Sequence, residues 1–154
     1  MKTLWTDGSA SPNPGPGGFS VIENGRPVVL GRAAQTTNIQ MEGAAMVAAI
    51  EYAGGEACEI YSDSEFWINV LTKWAIGWEK NGWKKAKGEI KNLALVQKLY
   101  KLYTENEVKL NWVRGHDGTE MNELADQFAN KARKGEKVDG ARYVEPYLTK
   151  GETK

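Results

Sequence analysis

The chain has 154 residues, 41% of them hydrophobic and 26% charged, the size and balance of one folded domain rather than a disordered segment. Its longest apolar run, Ala44–Ile50, is seven residues, too short to span a membrane, and Met1–Asp7 reaches an acid without the apolar core of a signal segment. Twenty basic side chains balance twenty acidic ones, so the protein is not basic throughout, and the single cysteine, Cys58, excludes an internal disulfide and fits a reducing, cytoplasmic location.

Met1–Asp7 predicts a short strand stopped by Gly8-Ser9. Ser11–Gly18 carries three prolines and three glycines, which forbid helix and mark a turn-rich segment. Phe19–Glu23 and Val28–Ala34 are β-rich and are joined by Asn24-Gly25, a hairpin signal. Three antiparallel strands therefore open the fold.

Asn38–Ala53 predicts a helix, with Glu42, Ala45, Met46, Ala49, Ile50 and Ala53 on one face and Gly54-Gly55 ending it. Ala57–Asp63 is the next strand, and Ser64 is placed to cap the helix that follows. A strand reached through a helical crossover is expected to run parallel to its neighbour. Glu65–Leu71 and Trp74–Lys80 read as short helices, and Trp83–Gly88 as a basic loop. Glu89–Tyr103 predicts an amphipathic helix, Val108–Val113 a fifth strand, Arg114–Thr119 a glycine-flanked loop, and Glu120–Arg133 the last helix. Residues 135–154 read as a C-terminal tail, loosely ordered or tacked down by Tyr143, Tyr147 and Leu148. This order makes one α/β domain, residues 1–134, with a five-stranded mixed sheet: three antiparallel strands, then parallel strands, flanked by helices. In such sheets ligands bind at the carboxyl ends of the parallel strands.

Charge is unevenly spread. From Lys73 to Lys91 there are six lysines against two acids, a net of +4, and three of the six tryptophans (Trp74, Trp78, Trp83) share that window. A local cationic surface of this kind suits a nucleic-acid backbone even in a neutral protein; its ordinary alternative is a solvated loop.

Four acids occupy awkward positions. Asp7 and Asp63 end strands that would be parallel neighbours, Glu42 lies on the apolar face of the first long helix, and Asp126 borders the apolar stripe of the last. Each has an ordinary reading on its own: a turn at Asp7-Gly8, a helix cap at Asp63, a helix-terminus complement at Glu42, a surface residue at Asp126. Brought together, such carboxylates repel and raise one another's pKa, and a hard divalent cation, Mg²⁺ or Mn²⁺, relieves that repulsion.

The segments Thr6-Asp7-Gly8-Ser9-Ala10 with Asn13–Gly18, Thr37-Asn38 with Met41-Glu42, Tyr61–Ser64, Trp74, Trp78 and Gly82-Trp83-Lys84, and Trp112–His116 with Asn122–Asp126 resemble type 1 ribonuclease H, in order, over about residues 3–133. The resemblance implies an RNase H-like fold and an endonuclease that hydrolyses the RNA strand of RNA–DNA hybrids. It implies two Mg²⁺ ions, with Mn²⁺ as a substitute, held about 4 Å apart by Asp7, Glu42, Asp63 and Asp126, and products with 5′-phosphate and 3′-hydroxyl ends. His116 falls on the family's mobile histidine, which serves proton transfer or product release. Asn13 and Asn38 fall on RNA-strand contacts, Trp74 and Trp78 on the DNA-strand groove, and Thr37 and Asn92 near a DNA phosphate. The Lys73–Lys91 segment, with Lys84, Lys85 and Lys87, matches a basic protrusion. No membrane association and no obligate protein partner are expected, and the chain is expected to be a monomer.

Departures from the family pattern are Ile39 where an amide is frequent, Gln40 where arginine is frequent, and Gly43 where a large apolar residue is frequent. The last predicts a looser helix start. Two alternatives share the fold: a non-catalytic hybrid-binding module, which would have lost a carboxylate, and a DNA-processing nuclease, which would generally lack Asn13–Gly18 and the protrusion. A small-molecule enzyme would carry its glycine-rich loop before a helix, whereas here it precedes a strand.

Overall fold

A computed structural model describes residues 1–85, 88–114 and 120–147. Strand β1 (Lys2–Ala10) pairs with β2 (Gly15–Glu23), which pairs with β3 (Arg26–Thr36), all antiparallel. Asn24 and Gly25 both adopt left-handed backbone (φ 53° and 76°), the conformation a two-residue hairpin of primed type requires and that asparagine and glycine best supply. Helix α1 (Asn38–Ala53) leads to β4 (Cys58–Ser62), which lies parallel to β1, and β5 (Val108–Trp112) lies parallel to β4.

The sheet has six strands in the order β5-β4-β1-β2-β3-β6, one more than expected. The sixth, β6 (Arg142–Tyr143), comes from the C-terminal segment and runs parallel to β3. Tyr143 Oη fastens it, donating to the Glu136 carbonyl (2.7 Å) and accepting from Val138 N (2.8 Å). Val144 N then donates to the Leu30 carbonyl (3.0 Å). A two-residue strand bound by non-local partners leaves no periodicity in the sequence.

Glycines set the spacing of the layers. A Cβ at Gly8 would stand 2.6 Å from Glu42 N in α1, and one at Gly18 would stand 2.5 Å from the Ala129 carbonyl of α5 (Glu120–Arg133). Neither approach is open to a larger residue, and the two glycines lie on opposite faces of the sheet. α1 and α4 (Leu93–Glu105) therefore pack on one face and α5 on the other. Between α1 and the sheet sits the core, including Leu4, Phe19, Met41, Met46 and Ile60. α1 is buried over nearly its whole circumference, not on one face as expected, because it lies between the sheet and α4. Its ends match the expectation: Thr37 Oγ1 caps the first turn by accepting from Gln40 N (3.1 Å), and left-handed Gly54 (φ 60°) closes it.

β1 runs on to Ala10 and β2 begins at Gly15, inside the segment expected to hold only turns, and among the helices two expectations differ. α4 begins at Leu93 rather than Glu89, because Asn92 is left-handed (φ 58°) and interrupts the turn, while Ile90 tucks into the core. α2 (Glu65–Asn69) and α3 (Ala75–Lys80) are not separate but are joined by a π-helical segment, Val70–Trp74.

Candidate active site

Asp7 lies inside β1, not at its end, because β2 continues the pairing through Ser9↔Gly18 and Ala10↔Gly17. On the other side β4 stops at Ser62. The β1–β4 register runs from Lys2↔Cys58 to Trp5↔Tyr61, and two further residues bring Asp7 level with Asp63. The two carboxylates thus project from adjacent parallel strands where one of them ends. Glu42 joins them from the first turns of α1, admitted by the bare backbone of Gly8. Carboxylate oxygens of Asp7, Glu42 and Asp63 lie within 4.8 Å of one another. Asp126 arrives from the opposite face on α5, which is fastened where Ser20 Oγ donates to the Ala125 carbonyl (2.6 Å); Ser20 is the register partner of Asp7. Asp126 lies outside the trio but close enough for its charge to act on Asp7.

Crowding raises the pKa of two of these groups. Burial first, then the charges of Asp63, Asp126 and Glu42, push the Asp7 carboxyl up to about 9. Burial and Asp63 push Glu42 up to about 8, against a hydrogen bond with Ser64 that favours its charged form. Three carboxylates gathered together, Asp7 buried and Glu42 and Asp63 half-buried, with two held well above their ordinary values, form an all-oxygen set suited to a hard divalent ion rather than to zinc. His116 and Lys87 lie outside the described residues.

The other expected residues sort into two groups. Asn13 and Asn38 are together: Asn13 Oδ1 accepts from Asn38 N (3.0 Å), and Asn38 Oδ1 accepts from Ala10 N (2.7 Å), so both amides are oriented beside the strand bearing Asp7. Thr37 and Asn92 are linked by a residue that sequence reasoning treated only as a departure. Gln40, 2% exposed, follows Thr37 at the start of α1, accepts from Thr36 Oγ1 (2.9 Å) and donates to Asn92 Oδ1 (3.0 Å). Trp74 is 42% exposed, with Trp78 tilted against it at 6.2 Å between ring centroids. Trp83 turns the other way, edge-on to Tyr100. Lys84 and Lys85 are exposed.

Trp67 was not singled out from the sequence, yet it explains Gly43. Its indole fills the space a side chain there would take: a Cβ at Gly43 would stand 2.6 Å from Trp67 Cζ2. Its Nε1 donates to the Ile39 carbonyl (2.7 Å), and its backbone N donates to the capping Ser64 Oγ (3.2 Å). The start of α1 is therefore pinned rather than loosened, and Glu42 with it. The pairing of a missing side chain with an oversized one 24 residues on was the available signal.

The family model for RNase H matches residues 1–134. The chain belongs to the RNase H family. Curated ribonucleases H resemble it closely: that of Granulibacter bethesdensis is 40% identical over 136 residues, 84% of this chain and 90% of the relative. That of Methylorubrum extorquens is 38% identical over 139 residues, 87% of this chain but only 61% of the relative's length. Among solved structures, LC9-RNase H1, described as a type 1 RNase H with the type 2 active-site motif, superposes with a TM-score of 0.71 at 25% identity, covering 92% of this chain and 76% of that one. The fold, the family and the hydrolase class agree with the sequence reading. Among the described residues no helix is long and apolar enough to cross a membrane.

Proposed function

We propose that the chain hydrolyses the RNA strand of RNA–DNA hybrids with two divalent cations, Mg²⁺ or in substitution Mn²⁺, leaving 5′-phosphate and 3′-hydroxyl ends. The observation that carries this reading is the convergence of Asp7, Glu42 and Asp63 within 4.8 Å, with Asp126 beside them as the fourth proposed ligand. When bound, the cations offset phosphate charge and acidify an attacking water. The protein's part is to hold four carboxylates in place against their mutual repulsion, and the strand register, Gly8, Ser20 and Trp67 do so. Water attacks phosphorus as the bond to the 3′-oxygen breaks, and His116 is the residue proposed to move a proton or assist product release.

Strand choice rests on Asn13 and Asn38. With each Oδ1 engaged inside the protein, the amide N–H groups are the donors offered to 2′-hydroxyls, the groups that distinguish RNA from DNA. Thr37 and Asn92, braced by Gln40, are proposed to hold a DNA-strand phosphate. Trp74 and Trp78 are proposed to pack on that strand, with Lys84, Lys85 and Lys87 supplying cationic contacts. A catalytic domain of residues 1–134, with the segment after it laid along the sheet edge as β6 and acting in the cytoplasm as a monomer, is part of the same proposal.

Incubating the protein and Mg²⁺ with hybrid, single-stranded RNA, duplex RNA and duplex DNA tests it. Cleavage of hybrid alone, abolished by chelation, is expected. Hybrid binding without cleavage would favour the non-catalytic module, and cleavage of duplex DNA the DNA-processing nuclease.

A further inference from the structure

On the face of the sheet that carries α5, a second cationic surface stands apart from the lysine-rich segment. Arg32 projects from β3 directly opposite Gly18 of β2, and the backbone of Arg133 rests on that same glycine. Two arginines from distant parts of the chain are thereby brought side by side. The Arg32 guanidinium lies over Gly135, where a Cβ would stand 2.7 Å from Nη1; Gly135 is left-handed (φ 78°) and closes α5. Arg133 has its Nε buried without a hydrogen-bond partner, and only a long contact from Nη2 to Asn130 Oδ1 (3.5 Å). Lys134 follows and is exposed. Among the described residues no carboxylate pairs with Arg32, Arg133 or Lys134.

Position gives the cluster its meaning. Arg133 is seven residues beyond Asp126 on α5, two helical turns, and so lies on nearly the same face about 10 Å further along the axis. That distance matches roughly three nucleotide steps of a strand rising ~3.4 Å each. Arg32 and Arg133 belong to the α5 side of the sheet, whereas Lys84 and Lys85 follow α3, whose neighbours pack on the α1–α4 side. Cations in the last turn of a helix also complement its dipole, but that role does not call for Arg32, which reaches in from β3. A guanidinium partly stripped of water and left without an anion is costly, and a phosphodiester repays that cost with charge and fork-shaped geometry.

We propose that Arg32 and Arg133, with Lys134, form a second phosphate-binding surface that holds the strand being cut, about three nucleotides from the bond that breaks. This rests on the hybrid reading above and extends the footprint to the α5 side of the sheet.

The test is fluorescence anisotropy of a labelled hybrid of about 20 base pairs in EDTA, as a function of salt, for wild type, Arg32→Ala, Arg32→Lys and Arg133→Gln. A lost phosphate contact flattens the log–log salt slope by about 0.9. Arg32→Ala is expected to weaken binding several-fold with that flattening, Arg32→Lys to restore most of the slope, and Arg133→Gln to resemble Arg32→Ala. Arg32 is exposed, so its variants test the surface even if Arg133→Gln fails to fold. Wild-type affinity and slope in Arg32→Ala, with melting temperature altered instead, would overturn the proposal in favour of helix-end stabilisation. Hybrid cleavage by wild type, measured alongside, separates the two readings: if wild type cuts hybrid while Arg32→Ala binds normally, only the second surface fails.

Discussion

Asp7 and Glu42 hold their protons to higher pH in the folded chain than they would when unfolded. Asp7 moves from an ordinary value of 3.8 to about 9, and Glu42 from 4.5 to about 8, through burial and through neighbouring carboxylates. A group whose pKa is higher folded than unfolded lends stability that is complete below the unfolded value and lost as pH rises toward the folded one. In EDTA the contribution of these two groups to the melting temperature should therefore fall between about pH 4 and pH 9. Asp7→Asn, which keeps the shape and removes the charge, should raise the melting temperature at pH 8.5 and flatten the decline. Mg²⁺ should stabilise wild type more at pH 8.5 than at pH 5, since a ligand for the charged carboxylates stabilises the state that binds it. Calorimetry at the two pH values checks this; equal Mg²⁺ stabilisation at both would contradict the crowded-carboxylate picture.

At the scale of elements, the meeting of α1 and α2 at Gly43 and Trp67 governs where Glu42 stands. Gly43→Leu forces a branched side chain into the indole and should destabilise by roughly 1–3 kcal/mol, as overpacking does. Trp67→Val should destabilise by a similar or larger amount by leaving a cavity and losing the bond to Ile39. Because the two sites share one space, the double variant should be more stable than the sum of the single effects allows. Strict additivity in urea unfolding would show that the two do not compensate. The same junction illustrates what the sequence conveys. The Asn24-Gly25 hairpin and the helices Asn38–Ala53 and Glu120–Arg133 are legible because their signals are local: turn chemistry, caps and period. The extension of β1 through Ala10, the sixth strand and the left-handed Asn92 depend on distant partners and leave no such trace. The carboxylate cluster is intermediate. Each acid alone reads as a turn, cap or surface residue, and only the order of motifs points to convergence. The geometry that achieves it, a register offset and two bare glycines, appears only in the fold.

For the molecule as a whole, zero net charge conceals a separation: a +4 window at Lys73–Lys91, the arginines beside α5, and the clustered carboxylates. Replacing Lys84, Lys85 and Lys87 together by Ala should raise KM for hybrid, flatten the salt slope by about 2, and leave kcat nearly unchanged, because these residues act on binding rather than on the bond that breaks. An unchanged slope would return the segment to a solvated loop. The central claim is that the carboxylates carry the hydrolysis, and Asp63→Asn tests it most directly, assayed with Mg²⁺ for both cleavage and binding of an RNA–DNA hybrid. Cleavage should fall to background while binding persists or tightens, since a negative charge facing the phosphate has been removed. Wild-type turnover in Asp63→Asn would contradict the account.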